Sequence, residues 1–166
     1  MIPGKSEHLV VADSHEHKED GHVTEDADLR IAMVQKRMKK GKLLEAAVVP
    51  PEYVGDDKPD WLLVGWGSTQ GSLMEAAAEL RRQGTKAGAL HFSQVWPLLP
   101  EQFLDRIKSA AQIVTVEGNA TGQFAQLLKL TAGITPHHQV LKFDGRQITP
   151  AYILRALGRG EKQEHD

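Results

Sequence analysis

The chain has 166 residues, 40% of them apolar and 25% charged, with a formal net charge of −2 and no cysteine. That is enough length for one soluble domain with a real core. The balanced charge gives no basic footprint for nucleic acid, no apolar run approaches the roughly 20 residues of a membrane helix, and "MIPGKSEH" lacks the apolar centre of a signal peptide, so a cytoplasmic location is expected. Without cysteine the chain cannot form disulfides, thiolate zinc sites, a cysteine nucleophile or a cysteine-ligated iron–sulfur cluster of its own.

In chain order, "HLVVAD" (8–13) reads as a short strand, followed by a charged, histidine-rich loop (14–22). Residues 24–47 read as a helix with acids in its first turn and bases later, which suits the helix dipole, and Gly41 is placed to break it near its end. The basic run "KRMKKGK" (36–42) then sits in the last turns as a solvated face. Residues 48–60, rich in proline and charge, read as a connector. From there the pattern is regular. Strands are predicted at 61–65, 87–92, 112–117 and 138–143, and helices at 70–83, 101–109, 121–131 and 150–157. Strands alternating with short helices mean βαβ units and a mostly parallel sheet. Near-continuous apolar runs such as "WLLVG" and "IVTVE" fit strands covered on both faces. The tail 158–166 is expected to fray.

Two loops fall at strand carboxyl ends, where open α/β sheets bind ligands. The first is "GWGSTQG" (65–71). Its spacing is Gly65-x-Gly67-x-x-x-Gly71, not G-x-G-x-x-G, and no acid closes the next strand, which ends "LHFSQ". No Gly-Lys-Ser/Thr ending marks a Walker loop either. The plain reading is a tight turn at Gly67 and Gly71, with Ser68, Thr69 or Ser72 capping the helix; the other is a small anion at the helix start. The second loop, "VEGNATGQ" (116–123), repeats the plan: strand, acid, glycine, polar turn, helix. Glu117 there could accept protons or bond a ligand amine, or simply receive backbone N–H groups. Thr121 is a plausible cap. Glu117, Asn119 and Gln123 are expected to share the sheet's carboxyl edge with Gly67, Ser68 and Thr69.

Histidines are the remaining chemical candidates. His15, His17 and His22 stand among acids, but their spacing matches no metal motif, and a solvated loop is the favoured reading. His137 and His138 read as exposed loop residues, and His91 as a satisfied core histidine.

"GHVTED", "LLVGWGSTQGSLMEA", "LHFSQVWPL", "VEGNATGQFAQLL" and "LKFDGRQITPAYI" occur here in one order. Together they resemble the C-terminal part of the alpha subunit of 2-oxoacid:ferredoxin oxidoreductases, particularly the 2-oxoglutarate type, from about Pro3 to Leu157. Glu117, Asn119, Thr121, Gly122 and Gln123, with Asp144, Gly145 and Arg146, carry its most specific parts. The resemblance implies a transketolase C-terminal-like, three-layer α/β/α sandwich with a mostly parallel sheet of about five strands. It implies a holoenzyme that turns a 2-oxoacid and coenzyme A into acyl-CoA and carbon dioxide and reduces ferredoxin. That holoenzyme uses thiamine diphosphate, magnesium and iron–sulfur clusters. The diphosphate half of its site belongs to the beta subunit and the pyrimidine half to the upstream alpha domain.

This region is then a supporting part whose loops are interface candidates, with no catalytic base, no metal and no cofactor of its own. Its expected divisions are a linker or edge strand (1–23), a helix and connector (24–60), the α/β domain (61–158) and the tail (159–166). The chain is then either a cut piece or a separately encoded one. A free-standing module binding a small anion or nucleotide, and a metal-binding domain using His15, His17 and His22, are the competing readings.

Overall fold

In the computed structural model, residues 2, 4, 5, 7 and 10–160 are described. The chain divides into two units, Met1–Ala47 and Val48–Asp166. The boundary therefore falls before the predicted connector, which belongs to the second unit rather than with the helix at 24–47.

In the first unit β1 (Glu16–His17) pairs antiparallel with β2 (Val23–Thr24), and α1 (Ala27–Ala46) follows. β1 lies inside the predicted loop (14–22), while β2 lies past its end and takes the first residue of the helix predicted at 24–47, which starts instead at Ala27. The strand expected at 8–13 is not there: residues 10–12 are irregular, and 8 and 9 lie outside the described residues. Two-residue strands are too short for any periodicity to betray them. The turn signal Asp20-Gly21 is legible in hindsight, with Gly21 at φ 86°. Asp26 caps α1, accepting from the Leu29 N–H at 2.9 Å. Gly41 does not break the helix, which continues to Ala46; one interior glycine costs only about 1 kcal/mol. Glu16 ties hairpin to helix, accepting from Arg37 at 2.5 Å and from Arg30 at 3.3 Å.

The second unit is a five-stranded sheet in the order β3-β5-β4-β6-β7. Its strands are β3 (Glu52–Gly55), β4 (Trp61–Trp66), β5 (Ala87–Phe92), β6 (Gln112–Glu117) and β7 (His138–Leu141). All neighbours are parallel except β3, which runs antiparallel along the outer edge of β5. β3 lies within the stretch read as a connector; with Pro50 and Pro51 before it and four residues in all, it gives no strand signal. Its Tyr53 lies over Gly88, where a Cβ would stand 2.6 Å from the phenol oxygen.

The helices are α2 (Gln70–Arg82), α3 (Leu104–Ser109), α4 (Gln123–Ala132) and α5 (Pro150–Ala156). A 3₁₀ turn, Pro100–Gln102, occupies the start of the helix predicted at 101–109. Alternation along each strand sorts the core into two layers. Leu63, Val114 and Val116 face Leu73 and Leu80 of α2 and Ile153 of α5. Leu62, Val64 and Ile113 face Ile107 of α3 and Phe124 and Leu128 of α4. Phe92 meets Phe103 and Phe124 edge-on at 5.2 and 5.0 Å. Each fully buried leucine here contributes about 1.5–3 kcal/mol. Three layers result, α2 and α5, the sheet, then α3 and α4. Of the tail, residues 161–166 lie outside the described residues, while the Arg159 N–H closes back on the Leu154 carbonyl at 2.8 Å.

β4 is first of the parallel strands in sequence yet central in the sheet, with β5 on one side and β6 on the other. The chain leaving β4 turns to the α2 face and the chain leaving β6 to the α4 face. Their loops diverge, which opens the crevice expected at a topological switch point.

Candidate functional site

A cleft of about 630 Å³ occupies that carboxyl edge. Trp66, Gly67, Ser68, Thr69 and Ser72 form one wall. Lys142, Phe143 and Gly145–Ile148 form the other, with Gly118 contributed by the loop after β6.

Gly67–Thr69 make a 3₁₀ turn between β4 and α2. Gly67 sits at φ 59°, a conformation that glycine adopts without strain. Its carbonyl accepts from His91 Nε2 at 2.8 Å, so His91 is a buried, satisfied histidine that pins the turn. None of the three hydroxyls caps α2, contrary to expectation. Thr69 donates to the Trp66 carbonyl at 2.9 Å, and Ser72 donates to the Ile148 carbonyl at 2.7 Å, joining the two walls. Ser68 and Gly71 are exposed. Gly65 allows the close approach of α2 to β4, because a Cβ there would lie 2.6 Å from both Leu73 Cδ1 and Thr69 Oγ1.

The loop after β6 shares this edge, since β4 and β6 are parallel and Gly65 is in register with Val116. Its side chains, however, fold back on their own helix and do not line the cleft. Glu117 is fully buried. One of its oxygens accepts from the Phe124 N–H at 2.7 Å and from Asn119 Nδ2 at 2.9 Å; the other accepts from the Ala125 N–H at 3.0 Å. Asn119 Oδ1 accepts from the N–H groups of Thr121, Gly122 and Gln123 at 3.1, 2.8 and 3.2 Å. The cap of α4 is therefore this pair and not Thr121. Thr121 contributes its carbonyl, which accepts from Gln126 Nε2 at 2.7 Å. Gly122 reverses the chain at φ 64°, and Gln123 opens α4 from an exposed position. Of the two readings left open for Glu117, the geometry fits receipt of backbone N–H groups.

The loop after β7 supplies the cleft's charge. Asp144 accepts from Lys142 at 2.6 Å and lies 3.2 Å from Arg146 Nε, while its other oxygen takes the Arg146 N–H at 3.0 Å. The Lys142 ammonium, then that backbone N–H, hold the Asp144 carboxyl below its usual range. Gly145 turns the loop at φ 80°. Lys142 lies 4.7 Å from the Tyr152 ring centroid, and the Arg146 side chain is 83% exposed. Lys142, Phe143, Trp66 and Ile148 were not singled out by sequence; they sit at the ends of predicted strands or just before a helix, where pattern marks a boundary but not a direction.

The histidines do not assemble. His15 and His17 each face Asp13, at 3.7 and 3.1 Å, and His22 faces Asp20 at 3.3 Å. The backbone N–H of His15 is the main reason the Asp13 carboxyl is lowered. Among the described residues no group of three His, Cys, Asp or Glu side chains could hold a metal ion. His137 Nδ1 accepts from the Ile113 N–H at 2.9 Å, and His138 stacks on Trp61 at 5.4 Å; both are exposed. No helix among the described residues is long and apolar enough to cross a membrane.

Residues 59–153 match the family described as pyruvate:ferredoxin oxidoreductase core domain II. The alpha subunit of a 2-oxoacid:ferredoxin oxidoreductase of Aeropyrum pernix is 33% identical over 146 residues, which cover 83% of this chain and 22% of that one. The 2-oxoglutarate oxidoreductase subunit KorA of Mycobacterium tuberculosis is 34% identical over 95 residues, covering 56% of this chain and 14% of its own. Among solved structures, the 2-oxoglutarate:ferredoxin oxidoreductase of Magnetococcus marinus, with 2-oxoglutarate, coenzyme A and succinyl-CoA bound, superposes with a TM-score of 0.71 at 24% identity. That alignment covers 94% of this chain and 27% of the other. The chain spans about a fifth of the length of the curated relatives it matches.

Proposed function

The chain belongs to the core domain II family of 2-oxoacid:ferredoxin oxidoreductase alpha subunits, and from that premise we propose that it is a supporting, non-catalytic domain of such an enzyme. The holoenzyme would convert a 2-oxoacid and coenzyme A to acyl-CoA, carbon dioxide and reduced ferredoxin with thiamine diphosphate, magnesium and iron–sulfur clusters. The preference for 2-oxoglutarate draws on the KorA relative and on the substrate bound in the Magnetococcus marinus enzyme. Its partners would be the pyrimidine-binding alpha domain, the beta subunit and, through them, ferredoxin.

The observation that carries a supporting role is the use made of Glu117. The acid that ends β6 is buried, with both oxygens committed to α4 and Asn119. It is not presented to the cleft as a base. The chain's own residues also do not fit an iron–sulfur cluster. There is no cysteine for a cluster, and no set of three metal-binding side chains occurs among the described residues. What the cleft offers instead is a surface: exposed Phe143 and Arg146 on one wall and the Gly67–Thr69 turn on the other.

Calorimetric titration of the pure chain with thiamine diphosphate and magnesium should show no binding, and 2-oxoglutarate with coenzyme A and a dye acceptor should show no turnover. Micromolar binding or any turnover would overturn the reading. Added to a beta subunit and an alpha subunit lacking this region, the chain should restore dye reduction, and Arg146→Glu should weaken that restoration. A second reading, a module for a small anion or nucleotide, draws on the cleft's position at the switch point with Lys142 and Arg146 on its wall. Saturable binding of inorganic phosphate or a nucleotide, lost in Arg146→Glu, would favour it.

A further inference from the structure

Among the described residues, the first unit has no core of its own. None of the 20 residues of α1 is buried, and every buried apolar residue of the chain lies at Leu62 or beyond among those described. In proteins most helical stability comes from packing of one face rather than from propensity. Ile31, Val34 and Met38 stand 56%, 36% and 71% exposed.

These three residues are not scattered. With Ala27 before them and Gly41 after, they recur at alternating steps of four and three, which is the spacing of a coiled-coil seam. Small residues at both ends and large ones between give a seam that can meet its own copy. Charge then selects the direction. Glu25, Asp26 and Asp28 lie at the start of the helix, while Lys36, Arg37, Lys39, Lys40 and Lys42 crowd its second half. Side by side in parallel, two such helices would set like charges together. Antiparallel, each acidic start lies beside the other's basic half. The hairpin leaves this face open, since it engages the helix through Arg30 and Arg37 on Glu16.

We infer that α1 pairs antiparallel with α1 of a second copy of this chain, with Ile31 packed on the partner's Val34 and Met38 on the partner's Ala27. Such a contact is isologous and closes after two copies. It spans only two heptads, so the dimer dissociates on dilution. It does not depend on the proposed catalytic setting.

Light scattering on the full chain across a concentration series tests it. The expected result is twice the chain mass at high concentration, falling toward the single mass on dilution. Val34→Glu and Met38→Glu should be monomeric throughout with unchanged circular dichroism, while Leu130→Glu, on exposed α4 surface, should dimerise normally. Because the chain has no cysteine, direction can be read by oxidation. Ile31→Cys with Val34→Cys should cross-link two copies, and Ala27→Cys alone should not, since a disulfide needs Cα atoms within about 7 Å. A chain that stays monomeric at every concentration, a dimer untouched by Met38→Glu, or cross-linking by Ala27→Cys alone would each overturn the inference.

Discussion

Replacing Glu117 with alanine is the most direct probe of how the loop after β6 is built. In the native chain its side chain is fully buried and receives the Phe124 and Ala125 N–H groups at 2.7 and 3.0 Å. These are first-turn donors of α4 with no partner inside the helix. The alanine variant removes their acceptor where water does not reach. Each orphaned buried donor costs about 1–3 kcal/mol, so the loss should be roughly 3–5 kcal/mol. Asn119 also loses its anchor at 2.9 Å, while it still serves the N–H groups of Thr121, Gly122 and Gln123. In urea, a slope of about 1–3 kcal/mol per molar makes this a midpoint shift of roughly 2 M. Glu117→Gln should fall about halfway, because its oxygen can take one amide while its NH₂ meets another donor. Hydrogen exchange should localise the loss to Phe124 and Ala125. If Glu117→Ala unfolds within about 0.5 kcal/mol of the parent, the range of an ordinary surface substitution, the capping account is wrong and Glu117 is free for other chemistry.

Gly122→Ala should cost about 1–2 kcal/mol, since an L-residue is strained at φ 64° and its Cβ would run into the Gln139 side chain; urea unfolding measures it. For the hairpin–helix contact, Arg37, hydrogen-bonded to Glu16, holds that carboxyl below its ordinary value of 4.5. The contact is therefore fully present above that value and is lost as pH falls through the lower folded one. Titration of the Glu16 side-chain carbon by NMR should show this acid-side midpoint, and Glu16→Gln should abolish the pH dependence of the contact.

The βαβ half of the molecule was legible because its strands are covered on both faces and its helices alternate with them. β5 and β6 stand where their apolar runs place them. What escaped were elements too short to have a period: the hairpin of β1 and β2, and β3 between prolines and acids. At the site, sequence located both loops at strand ends, because that depends only on parallel connectivity. It could not tell where Glu117 and Asn119 would point. That direction is set by Gly122, whose left-handed turn brings the amides of α4 back over the end of β6. The hydroxyls were misjudged for a similar reason. Thr69 and Ser72 have nearer or better-placed carbonyls, at Trp66 and Ile148, than the helix amides they were expected to cap.

β3 has a consequence for where this domain can be cut. Among the described residues it is the strand that pairs with the outer edge of β5, whose six residues are all buried. Asp56 adds to that pairing by accepting the Ala87 N–H at 2.9 Å. The family match begins at residue 59, after both. A fragment trimmed to the matched span would bare a flat, apolar edge of unpaired N–H and C=O groups, the usual template for strand-on-strand aggregation. β3 itself is a poor template, being four residues long and preceded by two prolines that have no N–H to donate. The residues that keep the sheet from polymerising thus lie outside the stretch by which the domain is recognised.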